Sequence, residues 1–161
     1  GMLSHDTQLY PELTARENLQ FFAGLFGVQD PASCTEAALS RSALRGRGDE
    51  PVMKFSRGMR QRLALERALI HEPKLVLLDE PFTGLDDLSS KSLANRLRGL
   101  RENGRIILLT THDFEAAEGL LDRAALLWDG ELLNVEPVTG SLRDHYVNHT
   151  RKVTGTAKVS R

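Results

Sequence analysis

The sequence predicts an α/β chain in which a helical segment precedes part of a parallel sheet. Leu75-Val-Leu-Leu-Asp-Glu-Pro81 is a short aliphatic run closed by two acids, the pattern of a strand apolar on both faces. From Lys74 onward such runs alternate with amphipathic stretches, as βα units do. Up to about Ile70 the apolar residues recur at helical spacing instead. The 161 residues suffice for a domain with a real core, and the 40% hydrophobic and 27% charged fractions are those of globular chains. A formal net charge of -1 gives no global field favouring nucleic acid or anionic lipid, so no nucleic-acid partner is expected. Cys34, the single cysteine, excludes an internal disulfide framework and suits a reducing compartment. No stretch reaches the roughly 20 apolar residues of a membrane span, and no secretory signal is read.

The elements follow in order. Thr14 to Glu17 forms a T-x-x-E capping box, with Leu19, Phe22 and Phe26 on one face of the helix behind it. Ser33 to Glu36 repeats the box and predicts a second helix towards Leu44. Gly46–Pro51 is a loop by composition. A third helix is expected from Ser56 to His71, ended by Pro73. After the Leu75 strand and the loop Pro81–Asp87 comes a helix with Leu93, Leu97 and Leu100 inward, closed by Asn103-Gly104. Arg105–Thr110 reads as a second apolar strand, Phe114–Leu121 as a short helix and Ala124–Trp128 as a third strand. Asp129-Gly130 is a hairpin signal leading into Glu131–Val135. A terminal helix is expected over Ser141–Asn148, then a frayed tail whose Arg and Lys also allow contact with a phospholipid surface. The expected units are residues 1–73, residues 74–148 and a disordered tail at 149–161.

Two adjacent carboxylates are costly inside a strand, so Asp79 and Glu80 are expected to emerge at its carboxyl end, where open α/β sheets place ligands. One acid can hold Mg²⁺ and the other polarise water. A solvated acidic turn explains the pair equally well when it is taken alone. Phe55-Ser-Arg-Gly-Met59 opens a helix with a hydroxyl and a glycine, and a helix start binds anions through its free N–H groups. Ser56 also reads as a plain N-cap, while Gly58 would let a phosphate approach the backbone.

Order and spacing then become specific. Ser56-Arg-Gly-Met-Arg-Gln-Arg-Leu63, Leu75–Pro81, Gly84-Leu-Asp86 and Thr110-Thr-His112-Asp113 together resemble the nucleotide-binding subunit of ATP-binding cassette (ABC) transporters. The resemblance covers about Leu3 to Val135. It implies a P-loop NTPase-like ABC ATPase core, here a partial parallel sheet, with an α-helical subdomain. Residues 1–73 would be the Q-loop region and helical subdomain, and 74–148 the later part of the catalytic core. Phe55–Met59 corresponds to the signature motif, Asp79 to the Walker B metal ligand and Glu80 to the catalytic glutamate. Asp86 closes the D-loop, and His112 is the switch histidine. Ser56 and Gly58 would serve ATP bound by a second cassette, Asp86 would orient across the dimer interface, and His5 would be a further nucleotide-site residue. As single residues, His112 also reads as a satisfied loop histidine and Asp86 as a helix N-terminal acid. Arg57, Arg60 and Arg62 are expected to be solvated or interfacial. His71, His145 and His149 lack motif context, and Cys34 is a bystander.

Leu3–Leu19 resembles the Q-loop and the helix after it, with His5 at the place of the usual glutamine. Tyr10 and Leu13 suit either docking of a membrane subunit or helix packing. Phe-Ser-Arg-Gly-Met replaces the usual Leu-Ser-Gly-Gly-Gln. The histidine and this signature both resemble the haem-exporter branch that serves cytochrome c maturation. None of Lys54, Lys74, Lys91, Lys152 and Lys158 follows a glycine, so the chain has no G-x-x-x-x-G-K-[ST] phosphate loop. The chain therefore looks like the back two-thirds of a cassette, expected to expose a sheet edge and apolar helix faces and so to show self-association, strand exchange or low stability. The resemblance implies ATP and Mg²⁺ as cofactors and transmembrane permease subunits as partners. It places the protein in the cytoplasm, peripheral on the inner face of the membrane. A non-catalytic interaction module and a soluble ABC-type ATPase are the rival readings.

Overall fold

The computed structural model describes residues 1–138, 140–144, 146 and 147. They form two compact units, Gly1–His112 and a second from Asp113 onward. The first unit holds β1 (Met2–Leu3), α1 (Ala15–Leu25), α2 (Pro31–Arg41), α3 (Arg57–Leu69), β2 (Leu75–Asp79), α4 (Asp87–Glu102) and β3 (Ile106–Thr110). Its sheet is parallel with order β1-β2-β3. The two-residue β1 was not anticipated from sequence, because so short a run carries no periodicity.

Helix α1 starts as its capping box dictates. The Glu17 N–H donates to Thr14 Oγ1 at 3.1 Å and the Thr14 N–H to Glu17 Oε2 at 2.8 Å. The second box does not form. Asp30 caps α2 instead, its Oδ1 accepting from the Ser33 N–H at 3.0 Å, with Pro31 at the first helical position. An aspartate before a proline supplies both the acceptor and a preset φ, and so outcompetes a serine three residues later. Glu36 pairs with Arg16 rather than with its own helix start. The helix also ends earlier than expected, at Arg41, and Ala43 turns at φ 56°. Helix α3 likewise stops at Leu69, two residues short of His71.

The helical layer has its own core. Leu19 and Ala23 of α1, Ala38 and Leu39 of α2, and Leu63 of α3 are fully buried together. Leu44, Val52, Phe55, Met59 and Ile70 complete the cluster. Asn18 is buried and tied four ways to the chain entering α1. Its Oδ1 accepts from the Tyr10 N–H at 2.8 Å, and its Nδ2 donates to the carbonyls of Tyr10, Leu13 and Thr14. That network sets the path of the segment between β1 and α1. Arg67 of α3 joins the layer to the sheet, donating from Nη2 to the Met2 carbonyl at 2.8 Å beneath the Phe22 ring.

Strand β2 differs from expectation. It is apolar on both faces in sequence, yet only Val76 and Leu78 are buried, while Leu75 is exposed. Ile106 and Leu108 of β3 are exposed as well. The sheet face carrying Val76 and Leu78 is buried, and the face carrying Leu75, Ile106 and Leu108 is largely exposed. The expected inward set of α4, Leu93, Leu97 and Leu100, is buried.

The second unit holds α5 (Phe114–Ala117), β4 (Arg123–Trp128) and β5 (Glu131–Pro137). Helix α5 is shorter than expected and ends before Gly119, at φ 69°. Strand β4 pairs antiparallel with β5 and not with the parallel sheet. Asp129 and Gly130 both take positive φ, 47° and 81°, the mirror-image turn that matches strand twist. Of the expected terminal helix, residues 142–144, 146 and 147 are helical. The expected tail at 149–161 lies outside the described residues. Among the described residues no helix is long and apolar enough to cross a membrane.

Replacing Asn18 with Ala leaves the Tyr10 N–H without its acceptor and takes one of two donors from each of the Tyr10, Leu13 and Thr14 carbonyls. We expect a loss of about 1–3 kcal/mol in urea unfolding, with little change in slope. An unaltered midpoint would show that this network is not holding the segment.

Candidate functional site

The parallel register brings three loop starts to one end of the sheet. Leu3 lies opposite Leu78, and Asp79 opposite Thr110. The residues after each strand, His5, Glu80 and His112, therefore leave from the same carboxyl edge. Strand β2 ends at Asp79, which is exposed as its two acids required. Thr110 Oγ1 donates to Asp79 Oδ1 at 2.6 Å, fixing that carboxylate from the neighbouring strand.

At Glu80 the backbone turns into the left-handed region, φ 47°. A glutamate there costs about 1–3 kcal/mol in strain. The turn is held by the Glu80 N–H, which donates to the Thr110 carbonyl at 3.0 Å, and by the buried Pro81 and Phe82 that follow. The side chain is held as well. His112 Nδ1 lies 2.8 Å from Glu80 Oε1, and Thr83 Oγ1 donates to Oε2 at 3.3 Å. With the carboxylate ionised, Nδ1 is the donor. Three residues named from sequence, Asp79, Glu80 and His112, are thus brought together. His5 is exposed in the segment after β1, at the same sheet end, and no hydrogen bond ties it to the trio.

Ser56 and Gly58 belong to the start of α3. Ser56 caps the helix, its Oγ accepting from the Met59 N–H at 3.3 Å, and it is exposed. The space beside Gly58 is not open. A Cβ there would sit 2.9 Å from Ser89 Oγ, so the glycine admits the first turn of α4. Asp86 caps α4, accepting from the Ser89 N–H at 2.7 Å. Its carboxyl is held below the usual aspartate range, chiefly by that N–H and then by the Ser89 side chain.

Four residues make contacts that the sequence does not show. Thr110 was read only as part of a motif, and its signal was a hydroxyl at the strand end in register with Asp79. Gln61 donates from Nε2 to the Pro81 carbonyl at 2.9 Å. Arg57 is exposed, in keeping with a solvated or interfacial residue, and its guanidinium also lies against Gly84. Arg60 turns back to donate to the Phe55 carbonyl at 2.8 Å.

Asp79 is the residue that could hold a hard cation. Asp79 keeps Oδ2 without a partner among the described residues, and no cluster of three His, Cys, Asp or Glu is present among them. Magnesium takes one or two carboxylates and leaves its remaining positions to water and phosphate, which such an end suits.

The ABC transporter family model matches residues 1–83. The chain is 38% identical over 133 residues to a fluoroquinolones export ATP-binding protein of Mycobacterium tuberculosis, covering 81% of this chain and 42% of that protein. It is 42% identical over 134 residues to Nod factor export ATP-binding protein I of Bradyrhizobium diazoefficiens, covering 81% and 43%. The ABC transporter ATP-binding protein NatA of Bacillus subtilis is 37% identical over 130 residues, covering 80% and 53%. The chain spans about half the length of the curated relatives it matches.

A depressed Asp86 value has a definite sign. Its cap stabilises the fold above the ordinary carboxylate range, and that contribution is lost as pH falls through the lower folded-state value. Asp86→Asn keeps the acceptor without titrating. Its melting temperature should therefore fall less between about pH 5 and pH 2 than that of the unaltered chain. Glu17, Asp49 and Glu50 are depressed too and keep some acid sensitivity in both. Identical pH profiles would exclude Asp86 as a contributor.

Proposed function

The chain belongs to the ABC transporter family, and on that premise we propose that it forms part of the ATP-hydrolysing subunit of an ABC transporter. The carrying observation is the joined set at the sheet end, with His112 Nδ1 2.8 Å from Glu80 Oε1 and Thr110 2.6 Å from Asp79. Glu80 is the group that orients the attacking water and accepts its proton. His112 and Thr83 fix the carboxylate against rotation, so less reorganisation accompanies the step. Asp79, with one oxygen occupied by Thr110, offers the other to Mg²⁺, which when bound neutralises charge on the phosphates. His5 would face the same site from the strand beside it. Ser56 and the α3 N-terminus would present N–H groups to ATP on a second cassette, with Asp86 at the same dimer face.

The proposal places the subunit in the cytoplasm against permease subunits. The exposed ring of Tyr10, packed on Phe21 and Phe22, supports α1 as the docking side. Export is the direction carried in the printed names of two relatives above. Haem as cargo rests only on His5 and the Ser56–Met59 departures, and neither of those names carries it.

A second reading has one observation in its favour: the chain has no phosphate loop. On that reading it is an interaction module that binds a partner but not ATP. Calorimetric titration of this chain with Mg-ATP is expected to show no micromolar binding. Hydrolysis therefore has to be assayed in the full-length protein. There, Glu80→Gln should lower steady-state turnover about 10²-fold or more while leaving ATP binding intact. Turnover near that of the unaltered protein would remove Glu80 from its role.

A further inference from the structure

Two close approaches join the first turn of α3 to the segment between β2 and α4. A Cβ on Gly84 would lie 2.6 Å from Cζ and Nη1 of Arg57 and 2.8 Å from its Nε. Three guanidinium atoms at nearly one distance mean that the planar group lies face-on over the glycine. In the other direction, a Cβ on Gly58 would lie 2.9 Å from Ser89 Oγ and 3.9 Å from Leu85 Cδ2. Each segment seats a side chain of the other on a glycine.

The rest of the same helix face follows. Gln61 Nε2 donates to the Pro81 carbonyl at 2.9 Å, and the charge of Arg62 helps to depress Asp86. Positions 57, 58, 61 and 62 fall on one stripe of a helix. Among the described residues no carboxylate pairs with Arg57, so packing on Gly84 sets its place. Gly84 sits at φ 69°, a conformation that glycine adopts without strain and that leaves its face open to the guanidinium.

We propose that Arg57 is a positioning residue that clamps the 83–86 turn to the start of α3, so that Glu80 and Ser56 keep one relative geometry. The connection is continuous. Thr83 donates from its N–H to the Glu80 carbonyl at 3.2 Å and from Oγ1 to Glu80 Oε2 at 3.3 Å. Thr83 adjoins Gly84, Gly84 carries the guanidinium, and Arg57 adjoins Ser56. A proton-accepting carboxylate is thereby linked to the serine that would face a second cassette. The functional half of this proposal rests on the hydrolytic reading above; the contact itself does not.

Hydrogen exchange of the 81–88 segment, measured on this chain, tests the clamp directly. Arg57→Met should speed exchange there about threefold or more. Arg57→Lys should do the same, because a lysine keeps the charge but has no planar face. Gly84→Ala displaces the guanidinium and also strains a positive-φ turn, so it should speed exchange at least as much as Arg57→Met, while the double variant is no faster than Gly84→Ala alone. Unchanged exchange in Arg57→Met, or effects that multiply in the double variant, would overturn the clamp. In the full-length protein, Arg57→Met should lower kcat about fivefold or more with KM within twofold, since it misplaces groups without removing ATP contacts. An unchanged kcat, with Glu80→Gln inactive in parallel, would overturn the positioning role. If Glu80→Gln stays active, the hydrolytic reading fails, and exchange alone judges the clamp.

Discussion

Helix α3 is buried without a break from Leu63 to Ile70, and the rest of the first unit takes its place from that constraint. A helix enclosed on all sides needs a partner for every polar group it carries. Glu66, 2% exposed, meets this with two guanidiniums, Arg41 Nε at 2.9 Å from the end of α2 and Arg96 Nε at 3.0 Å from α4. Removing the carboxylate would leave both arginines partly exposed and able to rehydrate. Removing either arginine would leave half of a buried charge unpaired, the costlier error. The carboxylate therefore does more to fix where α2 and α4 meet α3 than to add net stability. Arg67 ties α3 to the sheet through the Met2 carbonyl and the Phe22 ring, although its buried Nε has no hydrogen-bond partner among the described residues.

With α3 fixed, its two ends are placed. One end leads through Pro73 into β2, whose register with β1 and β3 brings the acids to the edge shared by His112. The other end exposes Ser56 and turns Arg57, Gly58 and Gln61 onto the segment after β2. Strain at Glu80 becomes intelligible in this frame. A strand that ends in an extended glutamate would stand that side chain roughly perpendicular to the sheet, on the face opposite Asp79. The left-handed turn redirects it to His112 and Thr83, and the surrounding hydrogen bonds hold a conformation that the residue disfavours on its own.

What the sequence made legible was local or strongly periodic. The Thr14–Glu17 box, the Leu75 run, the Asp129-Gly130 turn and the leucines of α4 each carry their structure within a few residues. The Ser33–Glu36 box failed because the same spacing occurs inside a helix that Asp30 and Pro31 start earlier. That only one face of β2 is buried could not be read from its composition, since a two-faced apolar run states what a strand can accept and not what is present to cover it. Asp79, Glu80 and His112 converge as the motif order implied. Thr110, Gln61 and Arg57 were not legible as partners, because each acts across a separation that only the fold closes.

The departures in Phe55–Met59 follow from packing. Phe55 and Met59 are buried in the helical core, so the first and last positions of the segment answer to hydrophobic volume. Ser56 answers to capping and stays exposed. A Cβ on Gly58 would press on Ser89 Oγ, a hydroxyl able to rotate away, so this packing favours glycine without requiring it. Position 57 alone is free to carry a long side chain, because the guanidinium leaves the helix start and finds a glycine seat at Gly84. A large residue next to Ser56 is therefore compatible with an open helix terminus. The same logic couples the two positions: a side chain at 84 displaces the guanidinium, and a short residue at 57 leaves the positive-φ glycine uncovered. An arginine in this segment is thus best read together with the glycine 27 positions further along the chain, as two halves of one contact.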